Sequence, residues 1–161
     1  MCIRDRLTAG ALDPTFNGDG KAITEFEGST SWGTEAMSVA VQADGKTVAV
    51  GRGSLVRYQS NGLLDPSFGI KGLVSLPLNA RSVAIQTNGR ILVAGSSIHP
   101  TNPDFVIARY LTNGTLDTSF HGDGVVTTDL GSYDLANTLV IQPVSYTHLD
   151  VYKRQAMRWL C

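Results

Sequence analysis

Three aspartates return at one fixed interval, and carboxylates repeated in this way are the residues of this 161-residue chain with the most obvious chemical potential. Asp13, Asp65 and Asp117 stand 52 residues apart, each after a leucine and three residues before a phenylalanine. A ring of carboxylates could hold a cation or a ligand. The same residues could equally cap turns, since an aspartate side chain accepts bonds from backbone amides two residues on and Pro14 and Pro66 pre-set φ. We assign them to turn capping, because the surroundings recur with the aspartate. Leu12 with Phe16, Leu64 with Phe68 and Leu116 with Phe120 then serve as apolar pins. Asn17-Gly18-Asp19-Gly20 and His121-Gly122-Asp123-Gly124 have the opening spacing of a calcium loop, which makes Asp19 and Asp123 the calcium candidates. A full loop needs alternating oxygen ligands and a distal bidentate glutamate. These runs lack both and read as glycine-rich turns, so no metal or cofactor is expected beyond that calcium alternative.

The remaining reactive types are scattered. His99 and His121 occupy different repeat positions, no serine lies in a Gly-x-Ser-x-Gly elbow, and no glycine loop leads into a helix to cradle phosphate. No catalytic residue is assigned. Arg57-Tyr58 and Arg109-Tyr110 could read an anionic ligand. The preferred assignment is an edge-strand pair whose arginine packs on an aromatic ring or pairs with an acid. Trp32 and Tyr133 lie in variable stretches, where exposed aromatics could stack on sugars.

These residues sit on an internal repeat, with copies starting at residues 10, 62 and 114. Gly10–Phe16 returns as Gly62–Phe68 and Gly114–Phe120. Ser38-Val39-Ala40-Val41-Gln42 with Asp44-Gly45-Lys46 returns as Ser82-Val83-Ala84-Ile85-Gln86 with Asn88-Gly89-Arg90, and begins again at Thr138–Gln142. Arg57-Tyr58 before Asn61-Gly62 returns as Arg109-Tyr110 before Asn113-Gly114. Four strand-like runs fill a period: Lys21–Phe26, Ser38–Gln42, Thr47–Gly51 and Leu55–Gln59. The second-copy runs Val83–Ile85 and Ile91–Ala94 are apolar on both faces, as covered strands are. Asp44-Gly45 and Asn88-Gly89 predict tight primed hairpins. The gaps that vary between copies, Glu27–Ala36 against Pro77–Arg81 and Arg52–Gly53 against Ser96–Asp104, predict surface loops. No window carries a helical period with caps.

Four strands in a period near fifty residues is the arithmetic of a β-propeller blade. The fold class expected is all-β: a propeller-like array of four-stranded antiparallel blades, incomplete at about two and a half. The signatures resemble the delta-60 repeat, a bacterial repeat with a Gly-x-Leu-Asp-x-Ser-Phe-Gly start, a Gln-x-Asp-Gly-Lys hairpin and an Ala-Arg-Tyr ending. The likeness covers nearly all of Gly10–Gln142. Asn17 and His121 stand where the middle copy has Gly69, and Val56 where the third has Ala108. The resemblance implies a propeller-like domain of a large exported or surface protein, and little chemistry.

Both ends read differently. Met1–Arg6 and Asp150–Gln155 back-translate to one run of bases in two frames, and Pro143–Gln155 fits its reverse complement followed by the run itself. That run resembles the transposase end of sequencing adapters, as a metagenomic read could carry. Residues 1–6 and 143–161 are therefore read as foreign, the latter as a tail with no reason to fold, and 7–142 as the repeat segment. This reading sets aside His148, Cys2, Cys161 and the basic cluster Lys153, Arg154 and Arg158. The repeat segment holds eight basic and twelve acidic side chains, a net charge of −4 against −1 for the whole chain. It lacks the cationic surface that nucleic acid or anionic membrane requires. It also lacks an apolar run of the ~20 residues a membrane span needs.

The function expected is a non-catalytic module of a bacterial surface or secreted protein, a structural or ligand-binding scaffold placed in the cell envelope or outside it. Its partners would be neighbouring blades of the same parent chain and a protein or glycan ligand. The alternative is a piece of a glycan-acting propeller enzyme whose catalytic groups lie in other blades. Faces that neighbouring blades should cover would make the isolated segment associate.

Overall fold

The computed structural model describes residues 2–24, 35–99, 101–131 and 133–142, and every regular element among them is a strand. The strands are β1 (Cys2–Arg4), β2 (Lys21–Ile23), β3 (Ala36–Val41), β4 (Thr47–Tyr58), β5 (Leu73–Ile85), β6 (Ile91–Ser96), β7 (Phe105–Tyr110) and β8 (Val125–Thr128). β1 and β2 form a two-stranded antiparallel ribbon. The other six form one antiparallel meander in chain order, β3 to β8. β5's second half, β6, β7 and β8 supply four strands in succession, the complement of one blade. The chain is thus all-β and propeller-like, with the array left open. Most of the variable stretch Glu27–Ala36, Trp32 with it, lies outside the described residues, as do the end of the run Lys21–Phe26 and the tail 143–161.

Two expectations about strands and loops are corrected. Arg52–Gly53 is no loop: Thr47–Gly51 and Leu55–Gln59 join through it into the single strand β4. Gly53 sits at φ 70 where the β4–β5 register shifts between Arg52 and Ser54. A bulge of this kind continues a strand, whereas a primed reversal needs suitable positive φ within its turn. Pro77–Arg81 is likewise inside β5, with Leu76, Leu78 and Ala80 buried. Pro77 is the middle one of the three β5 residues that stand against Gly53, between the paired residues Ser75 and Asn79, where no ladder asks for its missing N–H.

The hairpins also differ from expectation in detail. Gln42 N–H donates to Lys46 C=O and Gly45 N–H to Gln42 C=O, with only Gly45 at positive φ. Gln86, Gly89 and Arg90 repeat the pattern. These are three-residue loops with a left-handed glycine rather than two-residue primed turns. Asp44 and Asn88 each accept the amide two residues on, from Lys46 and Arg90.

Successive copies are held together at recurring positions. Val83 N–H donates to Ser38 Oγ and Leu139 N–H to Ser82 Oγ, so equivalent segments of adjacent copies lie side by side, although Leu139 itself is in no strand. Within a copy, Asn17 N–H donates to Asn61 C=O and Gly69 N–H to Asn113 C=O, tying the Asp-x-Ser/Thr-Phe turn at its start to the Asn-Gly turn at its end. Gly62 and Gly114 have two reasons to be glycine. Both are left-handed, at φ 83 and 89, and an added Cβ would stand 3.0 Å from Phe16 and from Phe68 respectively. The variation at the residue after the phenylalanine has the same physical basis. Asn17, Gly69 and His121 are all left-handed, at φ 51, 51 and 55, a region that asparagine and histidine enter more readily than most side chains.

The apolar residues of β4 to β7 form the main core, with Val48, Val50, Leu78, Ile91 and Val93 fully enclosed. The β3 end is different. Val39 and Val41 lie on one face, and Val39 is 54% exposed while its repeat equivalent Val83 is 6% exposed. Val83 is covered because β3 lies against β5 and Ala40 packs into its cluster. Nothing described stands in that relation to β3. We expect the chain to self-associate in a concentration-dependent way on light scattering. Val39→Lys with Val41→Lys should restore a monomer at a nearly unchanged melting temperature; a monodisperse parent chain would contradict this.

Candidate functional site

The three sequence signatures meet where the first copy runs into the second, and again where the second runs into the third. In the second copy Ser67 donates twice to Asp65 Oδ1, from its amide at 3.1 Å and its hydroxyl at 2.7 Å. The other carboxylate oxygen faces two cations, Arg57 Nε at 2.8 Å and Lys46 Nζ at 3.2 Å. Arg57 lies over the Phe68 ring, 4.4 Å from its centroid, and its Nη2 reaches Ser67 Oγ at 3.2 Å. The third copy repeats the set. Asp117 Oδ2 takes Arg109 Nε and Arg90 Nε, both at 2.8 Å, with Ser119 on Oδ1 and Arg109 4.7 Å from the Phe120 centroid. The hairpin cation (Lys46 or Arg90), the strand arginine and the turn aspartate are thus one ion cluster. Arg57 Nη1 also donates to Thr112 C=O, so the cluster of one copy grips the turn of the next.

The backbone explains why this convergence occurs. Asp65 N–H donates to Arg57 C=O and Arg57 N–H to Gly72 C=O, which clamps the turn beside the end of β4. Tyr58 and Leu64 form a bridge there, as do Tyr110 and Leu116. Asp65, Asp117 and Arg57 are buried. Burial alone would raise the Asp65 pKa, but the Ser67 hydroxyl and amide, Lys46 and Arg57 outweigh it and hold the carboxyl well below the usual range. Asp117 is held low first by the Ser119 hydroxyl and then, against burial, by the Ser119 amide and Arg109. Such carboxylates stay ionised and engaged. They are poor general acids or bases near neutral pH.

The first copy has the turn without the cations. Thr15 donates from its hydroxyl and amide to Asp13, at 2.7 and 2.9 Å, and this lowers the Asp13 pKa. Asp5 occupies the position of Arg57 and Arg109, with the same backbone bonds to Gly20 and Asp13. A second contrast concerns the tyrosines. Tyr58 and Thr24 share a buried hydroxyl pair, whereas the Tyr110 hydroxyl is buried without a partner among the described residues. Leu76 is the repeat equivalent of Thr24, 52 residues on, and offers no oxygen. Burial raises both phenols, and in Tyr58 the Thr24 bond opposes the rise.

The calcium candidates are placed at turns. Asp19 Oδ1 accepts the Lys21 amide and Asp123 Oδ1 the Val125 amide. Among the described residues no three His, Cys, Asp or Glu side chains gather as a metal-binding group. His99 Nδ1 accepts the Asn102 amide in the β6–β7 loop, and His121 is exposed in its turn. Gln42 and Gln86 each bury a side-chain oxygen with no partner among the described residues. A separate cleft of about 140 Å³ lies among Met37, Arg52, Asn79, Arg81, Ser96 and Tyr133. Reading the copies for likeness passes over this cleft, because its residues differ between copies. The signal that could have found it is the unmatched pair of arginines.

A protein-family model described as a β-propeller domain of unknown function (DUF5122) matches residues 42–68 and 86–120. Each matched segment runs from the glutamine before the hairpin to the turn phenylalanine, and so contains a whole ion cluster. No curated protein and no solved structure matches the chain. Among the described residues no helix is long and apolar enough to cross a membrane.

A pH dependence follows. Folded-state pKa values below the unfolded value make Asp65 and Asp117 stabilising at neutral pH, and that contribution is lost as pH falls below about 4. The melting temperature should fall over this range. Asp65→Asn should melt lower than the parent at pH 7 and show a shallower acid loss; equal slopes would refute the assignment.

Proposed function

We propose that the chain is a non-catalytic repeat module, a scaffold from a larger bacterial surface or secreted protein of the delta-60 kind. Its work is to hold loops of differing sequence on a rigid frame. One observation carries this reading: the most strongly perturbed carboxylates are spent on ion clusters that recur copy by copy and join one copy to the next. Groups fully committed to framework bonds leave ligand recognition to the segments that vary, which here include the β6–β7 loop and the stretch around Tyr133. Neighbouring blades of the parent chain are the proposed cover for the Val39 face.

The same reading extends to Met1–Arg6. Asp5 puts a carboxylate where the other copies carry arginine, which supports treating this stretch as adapter-derived rather than part of the repeat. The test of the scaffold reading is incubation of the chain with a panel of polysaccharides, scored for retention and for newly released reducing ends. The expected outcome is retention without release. Release that grows with time and chain concentration would favour the enzyme alternative.

A further inference from the structure

The cleft combines features that the framework does not explain. Met37 and Arg81 are the extra residues of two β-bulges, where register shifts between Ala36 and Ser38 and between Ala80 and Ser82. Bulges re-aim side chains and gather next to functional sites. Asn79 is the cross-strand partner of both Arg52 on β4 and Ser96 on β6, which places the three on one face of the sheet. Tyr133 stands beside them, 64% exposed.

The charge of the cleft is unbalanced. Among the described residues no carboxylate lines it. Lys46, Arg57, Arg90 and Arg109 all meet an aspartate at 3.2 Å or less. Arg81 has a 3.4 Å contact to Asn137 Oδ1, and Arg52 meets no carboxylate at ion-pair distance among the described residues. Two guanidinium groups without a carboxylate partner among the described residues suit a planar anion, which arginine holds through paired N–H donors.

The copies also differ just here. Alignment of Ser38 with Ser82 and Thr138 sets Met37, Arg81 and Asn137 at one position, and alignment of Gly51 with Gly95 sets Arg52 against Ser96. Framework positions are alike from copy to copy. A site for a single ligand needs one set of groups, and the cleft is where repeat symmetry is broken. We propose that this cleft binds a uronic-acid residue of an acidic glycan. Arg52 and Arg81 take the carboxylate, Asn79 and Ser96 take hydroxyls, and the Tyr133 ring lies against the sugar. This rests on the scaffold reading above and names the ligand class it would serve.

The test is ligand-observed saturation-transfer NMR on the full chain with sodium glucuronate, and with glucose, acetate and sulfate in separate arms. Glucuronate should bind at least about tenfold more tightly than the other three. Arg81→Met and Arg52→Ser each install the residue found in a sister copy. Each should weaken glucuronate about tenfold, the scale of one lost charged hydrogen bond, at an unchanged melting temperature. Arg81→Gln serves should the methionine variant melt lower. Tyr133→Ala should weaken glucuronate and leave acetate unaffected. Binding no tighter than glucose, binding matched by sulfate or acetate, or indifference to both arginine changes would overturn the proposal. Should glucuronate fail while other glycans are retained without cleavage, only the ligand class falls; time-dependent release of reducing ends would remove the scaffold reading itself.

Discussion

An ionised aspartate held between two cations above a phenylalanine is the interaction on which the rest of the array depends. Each component comes from a different stretch of the repeat. The hairpin supplies Lys46 or Arg90, the strand end supplies Arg57 or Arg109, and the turn supplies Asp65 or Asp117 with its serine. A buried carboxylate or guanidinium alone would be costly, and removal of one partner leaves the other uncompensated. The cluster therefore links the hairpin, the strand end and the turn through one shared carboxylate. Arg57 carries the constraint across the copy boundary through Thr112, and Phe68 does so through its close approach to Gly114.

That constraint separates two kinds of position. Residues that close the cluster or seat the next copy have little freedom, as the glycines at 62 and 114 and the serines at 38 and 82 illustrate. Residues on the bulges and in the longer connections are free of it. Arg52, Arg81 and Tyr133 belong to this second kind. On the proposed reading, a rigid repeating frame with a non-repeating cleft lets recognition change without disturbing the fold.

The all-β, propeller-like class was legible because turn signals and covered strands returned in the same order in each copy. The Asp-x-Ser/Thr spacing likewise carries the turn bonds directly. The strand boundaries were less legible. A gap of differing length looks like a loop whether it reverses the chain, as Ser96–Asp104 does, or bulges within a strand, as Arg52–Gly53 does. Only the backbone angle at Gly53 and the pairing of Arg52 with Asn79 decide it. The meeting of Lys46 with Asp65 and Arg90 with Asp117 was present in the sequence as a basic residue recurring after each hairpin glycine. Its partner could not be read there, since it depends on a register formed across separate strands. That the Tyr110 hydroxyl has no partner among the described residues goes with a single exchange, leucine for threonine, outside the three signatures.

The most direct measurement is a double-mutant cycle between Arg57 and Asp65, with Arg57→Met, Asp65→Asn and the pair, followed by urea unfolding of the full chain. If the cluster couples strand to turn, the two changes should be non-additive by about 1–3 kcal/mol. Additivity within about 0.5 kcal/mol would mean the two residues act independently, and would contradict the claim that this ion cluster holds the repeat together.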